Sequence, residues 1–314
     1  MPFSLRFLNP ALLDKFSPKG EGGDLCYAGV RCDELVCGRS NVAWWMLSPE
    51  QHAEEWVMLT FGALLGLAVL WSLRDRAYFD ALSSSKGSGA PPVGGSASIP
   101  LRPFLLVCSL ALNAAAWFYK GATGKGIYAY QVVPCHMMNL FQLVLLVIPD
   151  GLLFQCVGNL VLCWTINPAS ALAVPDTSGL HMPLETEHFY AMHYFICAVP
   201  FVLAGSGAVH VGPWSRCLWW VLVQICIFAL IYYTTVTPLA IVTGLNLNYM
   251  MQPPPGFTSG VLAGEQYRLW STAGLSAMFL ASMIMMKLTS AIGSALGLKK
   301  NANSDAAVGA KKRE

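Results

Sequence analysis

The chain has 314 residues, of which 55% are hydrophobic and only 11% charged, and its mean hydropathy is +0.52. Soluble domains carry about 25% charged residues, so this composition excludes an ordinary soluble protein and indicates a polytopic membrane protein. The formal net charge of +2 carries little information by itself, and nucleic acid is not a predicted partner.

The first region in chain order, residues 1–53, is polar and carries three cysteines, Cys26, Cys32 and Cys37. If this region is lumenal, two of them are able to form a disulfide, because the lumen is oxidising. An odd number leaves one thiol over. We predict a lumenal N-terminal region whose cysteine pairing the sequence does not decide.

The next region, residues 54–292, is predicted to be a membrane domain, since a helix needs about 20 mostly apolar residues to cross ~30 Å of hydrocarbon. Seven stretches qualify: 56–73, 103–119, 132–149, 151–174, 189–205, 217–245 and 269–290. The third and fourth are separated only by Pro149-Asp150-Gly151, which predicts a tight helical hairpin. The sixth contains Pro238, which predicts a kink or an unwound lumenal end. The predicted fold class is an all-α integral membrane bundle of about seven transmembrane helices.

The distribution of Lys and Arg predicts the orientation of this bundle. Basic residues concentrate in the loop after the first helix and in the tail, residues 293–314. The positive-inside rule places both in the cytosol, so the N-terminus is lumenal and the C-terminus cytosolic. Residues 83–98, rich in Gly, Ser and Pro, are predicted to be a flexible cytosolic linker. The final Lys311-Lys312-Arg313-Glu314 matches a dilysine signal for the endoplasmic reticulum membrane, although a positive-inside anchor explains it equally well.

With this topology, polar groups on four helices fall at one membrane face, within about 10 Å of the interface. They are Cys135 and His136 on the third helix, Glu185, Glu187, His188 and His193 on the fifth, Asn246 and Asn248 on the sixth, and Tyr267, Arg268 and Trp270 on the seventh. Titratable groups at membrane depth are costly, which makes this face the candidate functional site.

A thiol near imidazoles suggests acyl transfer, which needs a nucleophile, a base and donors for the developing oxyanion. A helix start and a nearby imidazole both favour the thiolate, and both are available to Cys135. Either His193 or His136 would be the base. Asn246 and Asn248 offer amide donors to the oxyanion.

These residues also have structural interpretations. Cys135 would pack as a small hydrophobe or pair with an N-terminal cysteine. Glu185 and Glu187 suit the first turn of a helix, where the dipole favours acids. Arg268 would either hold a lipid phosphate through its planar fork or anchor its helix at the interface.

A metal site is not predicted. Zinc binding by Glu187, His188 and His193 is disfavoured, because their i, i+1, i+6 spacing does not place three ligands on one helical face. No cofactor is predicted either.

Four motifs stand in the order found in the transmembrane protein 164 family, which the chain resembles over residues 104–286. They are Pro134-Cys135-His136, Glu185-x-Glu187-x5-His193, Asn246-Leu-Asn248-x-Met250 and Tyr267-Arg268-x-Trp270. The resemblance implies a seven-helix acyltransferase of the endoplasmic reticulum that moves polyunsaturated acyl chains onto lysophospholipids, notably ether-linked ones. It implies Cys135 as nucleophile and His193 as base. The chain departs from the family pattern at Gln142 and after Trp270, where the resemblance implies histidines.

Three functions follow from these observations. The first is an acyltransferase that carries the acyl chain as a thioester on Cys135, with phospholipid and lysophospholipid as its partners in the membrane. The second is a lipid hydrolase that uses the same site with water as acceptor. The third is a lipid-binding or transport protein without catalysis. A single broken helix and the lack of a visible repeat count against transport.

Overall fold

The computed structural model describes residues 49–84, 102–122, 133–175, 177, 180–243, 250, 260 and 266–298. Helices make up most of this described part, which contains no β-strand. The helices are α1 (Pro49–Ser72), α2 (Arg76–Ser84), α3 (Arg102–Ala122), α4 (Pro134–Val147), α5 (Leu152–Trp164), α6 (Ile166–Ala173), α7 (Glu185–Ser206), α8 (Trp214–Ile231), α9 (Thr237–Thr243) and α10 (Tyr267–Ala295).

Among the described residues, six helical segments are long and apolar enough to cross a membrane. They are Ala53–Ser72, Arg102–Ala122, Leu152–Ala173, Glu185–Ser206, Trp214–Ala240 and Tyr267–Ala295. Helix α4 is apolar but has only 14 residues, about 21 Å of helix, which is shorter than the hydrocarbon of a bilayer. The predicted all-α integral membrane class is confirmed, with a short helix in the third of the seven predicted positions.

Some predictions concern parts of the chain outside the described residues. Cys26, Cys32 and Cys37 lie there, as do residues 85–98 of the predicted linker and residues 299–314 of the tail. The orientation of the termini, the domain boundaries and the location in the endoplasmic reticulum stay predictions.

Helix α2 follows α1 directly and was not expected from the sequence. Its first turn is capped by Asp75, whose Oδ1 accepts the backbone N–H of Tyr78 at 3.1 Å. Asp75 also pairs with Arg216 at 2.8 Å, and the guanidinium lies 3.7 Å from the centre of the Tyr78 ring. The hydrogen bond from Arg216 lowers the pKa of the Asp75 carboxyl, and burial raises the pKa of the Tyr78 phenol to about 12. These contacts tie the helix after the first membrane span to the start of α8.

The chain divides into two compact units. In the described residues, the first unit holds most of α1, the last turn or two of α3, the end of α8, α9 and the start of α10. The second unit holds the rest, including all of α4 to α7.

Within the second unit, a tight hairpin joins α4 to α5, as predicted. Gly151 turns the chain with a φ of 149°, a conformation that favours glycine. The side chain of Arg102, at the start of α3, donates to the carbonyls of Leu146 at 2.9 Å and of Ile148, and pairs with Asp150 at 3.3 Å. A cation at the exposed carbonyls of a helix end stabilises that end.

The directions of α4 and α7 follow from two contacts to α5 and α6. Gln155 Nε2 donates to the carbonyl of Ala208 at 2.9 Å, while Cys197 Sγ lies 4.0 Å from the carbonyl of Thr165. Residues early in α5 therefore contact the end of α7, so the consecutive helices α5 and α6 run antiparallel to α7. Because the hairpin makes α4 antiparallel to α5, α4 and α7 run parallel, and they pack on each other.

Close backbone contact between α7 and α10 predicts the effect of one substitution. A Cβ at Gly293 would overlap the carbonyl oxygen of Gly205 and lie 2.9 Å from its Cα. Gly293→Ala is expected to lower the free energy of unfolding by about 1–3 kcal/mol, because the helices must move apart. Apparent melting temperatures in detergent check this.

The matched control is Gly274→Ala on the same helix, where a Cβ meets nothing within 4 Å. This variant is expected to be neutral or slightly stabilising, because a helical glycine costs about 0.5–1 kcal/mol relative to alanine. Equal melting temperatures for the two variants would contradict the close contact.

Within the first unit, the predicted break near Pro238 takes the form of a π-helical turn, Tyr232–Val236, between α8 and α9. Proline has no N–H for the helical ladder, so the backbone must adjust around it. Thr237 contributes by donating its hydroxyl to the carbonyl of Tyr232 at 2.9 Å. This turn is the departure from regular α-helix near Pro238, whereas an unwound lumenal end would fall on residues 244–249, which lie outside the described part.

Candidate functional site

Cys135 lies in the first turn of α4, directly after Pro134, which begins the helix. Proline suits this position because its missing N–H would have no partner in the helix anyway. Cys135 is half-buried and is present as a thiol. His136 is also half-buried, but it points about 100° away around the helix axis. The two neighbours therefore face different surroundings.

His193 is deeply buried, with 1% of its surface exposed. Its Nδ1 lies 2.7 Å from the carbonyl oxygen of Phe189, and the Phe189 ring stacks at 4.1 Å between centres. A carbonyl only accepts hydrogen bonds, so Nδ1 carries the proton in the neutral ring. Nε2 then carries a lone pair, and this nitrogen has no hydrogen-bond partner among the described residues. The neutral ring therefore keeps an unprotonated, buried nitrogen at Nε2.

The relative height of Cys135 and His193 is set by Gln142, whose Nε2 donates to the carbonyl of Ile196 at 2.8 Å. Cys135 precedes Gln142 by seven residues, about 10 Å along α4 and on nearly the same face. His193 precedes Ile196 by three residues, about 4.5 Å along α7. Because the helices run parallel, the Cys135 thiol and the His193 imidazole lie toward the same end of the second unit. Measured along the helix axes, they are about 6 Å apart.

The other predicted polar residues at the start of α7 differ in burial and in contacts. Glu185 is buried, and its Oε2 accepts the backbone N–H groups of His181 and Met182 at 3.0 and 3.2 Å. It thereby closes the loop in front of the helix. His188 Nε2 lies 2.9 Å from the carbonyl of Leu112 on α3, while Glu187 is exposed. The group that orients His193 is thus a backbone carbonyl one turn earlier.

Arg268, in the first unit, is almost fully buried and forms an ion pair with Glu55 of α1, with 2.6 Å between Nη2 and Oε2. Glu55 Oε1 accepts from Gln51 at 2.9 Å, and Arg268 Nη1 donates to the carbonyl of Met250 at 3.3 Å. Sequence reasoning missed Glu55, because an acid in the first turns of an apolar helix is unremarkable. Its depth of burial becomes apparent only in the fold.

The other predicted site residues differ in burial, and two of them lie outside the described part. Tyr267 is buried, with 1% of its surface exposed. Trp270 is 48% exposed, as an interfacial side chain would be. Asn246 and Asn248 lie outside the described residues. In the part of the chain that the structure describes, no three His, Cys, Asp or Glu side chains converge as metal ligands.

The helices and their composition define a polytopic integral membrane protein, with a thiol and a buried imidazole at one end of a helical unit. The chain belongs to the TMEM164 family, whose model matches residues 46–289, which confirms the predicted family. It is similar to the "Transmembrane protein 164 homolog" of Dictyostelium discoideum, with 23% identity over 229 residues, or 72% of this chain and 79% of that protein. No solved structure matches the chain.

Proposed function

We propose that this protein is a membrane acyltransferase that moves a polyunsaturated acyl chain from a phospholipid to a lysophospholipid, including an ether-linked one, through a thioester on Cys135. The observation that carries the proposal is the state of His193, whose lone pair at Nε2 is buried and without a described partner. Buried polar atoms without partners are rare and call for an explanation. A proton-accepting role at the end of the unit that carries Cys135 supplies one. The endoplasmic reticulum membrane, implied by the family resemblance, is the proposed location.

In the first half-reaction, Cys135 Sγ attacks the ester carbonyl carbon of the donor phospholipid while its proton passes to His193 Nε2. The carbonyl π pair moves onto oxygen and gives a tetrahedral oxyanion. When this intermediate collapses, the C–O bond of the ester breaks, and the departing lysophospholipid oxygen takes the proton from Nε2. The acyl chain remains on sulfur as a thioester, and the imidazole is neutral again.

In the second half-reaction, the acceptor lysophospholipid binds and its hydroxyl proton passes to His193 Nε2. The hydroxyl oxygen attacks the thioester carbonyl carbon through a second oxyanion. The C–S bond then breaks, and sulfur recovers its proton from the imidazole. One histidine therefore acts as base and acid in both halves, and no metal is needed for the proton balance.

Two alternatives remain as outcomes of the test. A hydrolase would use water in place of the acceptor hydroxyl, but the Phe189 ring covers one face of the His193 imidazole with apolar surface. A lipid-binding protein would hold a headgroup at the same polar residues without forming a thioester. The roles predicted for Tyr267, Arg268 and Trp270 in substrate binding stay predictions.

Trapping the acyl-enzyme is the decisive experiment. The purified full chain, in lipid nanodiscs, is incubated with a phospholipid that carries a labelled polyunsaturated chain. We expect a hydroxylamine-labile label on the peptide that contains Cys135, and its release as labelled ether phospholipid when an ether lysophospholipid is added. Mass spectrometry of the peptides and of the lipid products reads both steps.

Matched cysteine variants test the site. Cys135→Ala is expected to lose the label, whereas Cys156→Ser, a half-buried cysteine of α5, is expected to keep it. Release as free fatty acid in the presence of acceptor would favour the hydrolase. A wild-type chain that takes up no label and forms no product would contradict acyl transfer and leave lipid binding.

A further inference from the structure

A buried amide lies one turn below Cys135 on α4. Asn139 is 0% exposed and follows Cys135 by four residues. Side chains at this spacing are neighbours on one helical face, with Cβ atoms about 5–6 Å apart. Helical side chains also lean toward the N-terminus of their helix, so the Asn139 amide extends toward the turn that carries the thiol.

The orientation of this amide is set from α3. Ser109 Oγ, also 0% exposed, donates to Asn139 Oδ1 at 3.4 Å. The Nδ2 group is then directed elsewhere, and it has no hydrogen-bond partner among the described residues. The nearby Asn113 is different, since its Nδ2 donates to the Ser109 carbonyl at 2.9 Å. Leaving a buried donor without a partner is unfavourable, and a bound acceptor would relieve that cost.

Other buried atoms of the same unit also lack described partners. Among them are Gln142 Oε1, one turn beyond Asn139 on α4, and His193 Nε2 on α7. Gln142 also sets the height of α4 against α7, as shown above. Cys135, Asn139 and Gln142 therefore form one stripe along α4, with a nucleophile at its end and a donor one turn below. A donor at that place suits the oxygen of a carbonyl group whose carbon is being attacked by the thiol.

We propose that Asn139 donates Nδ2–H to the oxyanion that forms when Cys135 attacks the acyl carbonyl. The proposal rests on the proposed acyl transfer and adds a residue to its site. As the carbonyl π pair moves onto oxygen, the hydrogen bond from Nδ2 strengthens because the acceptor gains negative charge, and Asn139 keeps its proton throughout. Ser109 is a positioning residue that holds the amide in the donating orientation. The amide donors expected from sequence alone, Asn246 and Asn248, lie outside the described residues.

The test compares Asn139→Ala with Asn159→Ala, a matched variant at a buried amide of α5. Asn159 is 1% exposed, and its Nδ2 already donates to the carbonyl of Gln155 at 2.8 Å. Asn139→Ala is expected to lower kcat for transfer about 10²–10³-fold, the usual loss for one oxyanion donor, with KM for the donor phospholipid within about threefold of wild type. Asn159→Ala is expected to keep kcat within about threefold, whatever its effect on stability.

A second reaction separates an oxyanion donor from a structural residue. Iodoacetamide alkylates Cys135 by displacing iodide at a saturated carbon, so no oxyanion forms. The Cys135 peptide of Asn139→Ala is expected to be alkylated at nearly the wild-type rate while acyl transfer is lost. Alkylation that slows in proportion to transfer, or wild-type kcat in the variant, would overturn the proposal.

Ser109→Ala provides a second variant that leaves α4 unchanged, in case Asn139→Ala does not fold. It is expected to lower kcat for transfer about tenfold and to leave the rate of Cys135 alkylation unchanged. The reason is that the Asn139 amide loses the hydrogen bond that orients it but keeps its own N–H donor. An unchanged kcat in Ser109→Ala, with Asn139→Ala unfolded, would also count against the proposal. A wild-type chain without transfer activity would instead refute the acyl transfer itself, so the two failures are distinguishable.

Discussion

Replacing His193 with alanine is expected to slow both halves of the transfer by about 10²–10⁴-fold, because one imidazole carries the proton in each half. Nε2 accepts from the Cys135 thiol during acylation and from the acceptor hydroxyl during discharge. In the native ring Nε2 is the nitrogen available for this, since Nδ1 is held by the carbonyl of Phe189 at 2.7 Å. Thioester formation with donor alone, and its discharge after addition of lysophospholipid, measure the two rates separately.

The pH dependence of this variant distinguishes a base from a packing residue. Raising the pH is expected to narrow the deficit of His193→Ala in thioester formation, because hydroxide then ionises the thiol without a base. The deficit in discharge is expected to persist, because an alcohol does not ionise in the same range. His181→Ala, in the exposed loop before α7, serves as the histidine control and is expected to match wild type. Discharge at the wild-type rate in His193→Ala would rule out this role.

The helices that carry the site could be predicted because their signals are local. An apolar run of spanning length, with acids at its start, marks α7, and Pro134 marks the start of α4. His193 was a candidate because an imidazole nine residues into an apolar helix is costly. Its tautomer and its depth could not be predicted, because they depend on the Phe189 carbonyl and on the helices around α7.

The features missed in the sequence depend on contacts between distant residues. Asn139 stands in an apolar helix four residues after the motif cysteine, which is a recognisable spacing, but its freedom to donate depends on Ser109 of another helix. Glu55 and Arg268 are 213 positions apart, and neither is exceptional in its own helix. A hydropathy profile places each of these two charged residues at the membrane interface. Only the packing of α1 against the start of α10 shows that the two form a buried pair.

Glu55→Gln is expected to lower the free energy of unfolding by about 3–5 kcal/mol, because it leaves the Arg268 guanidinium buried opposite a neutral amide. Both side chains are at most 5% exposed in the native pair, so water does not replace the lost carboxylate. A fall in the apparent melting temperature on the order of 10 °C corresponds to this loss. Glu54→Gln removes the same charge one residue earlier, where the side chain is only half-buried, and is expected to have little effect.

The double variant Glu55→Leu/Arg268→Met is expected to regain most or all of the wild-type stability, because replacing a buried ion pair with apolar side chains is often neutral or stabilising. A double variant as unstable as Glu55→Gln would show that the pair stabilises the fold through more than charge compensation.

The same variant tests the prediction that Arg268 binds a lipid phosphate, since a phosphate would have to replace Glu55 as its partner. If the folded double variant transfers acyl chains with an unchanged KM for lysophospholipid, the pair is structural. A KM raised tenfold or more, in a variant of native stability, would support headgroup binding by Arg268.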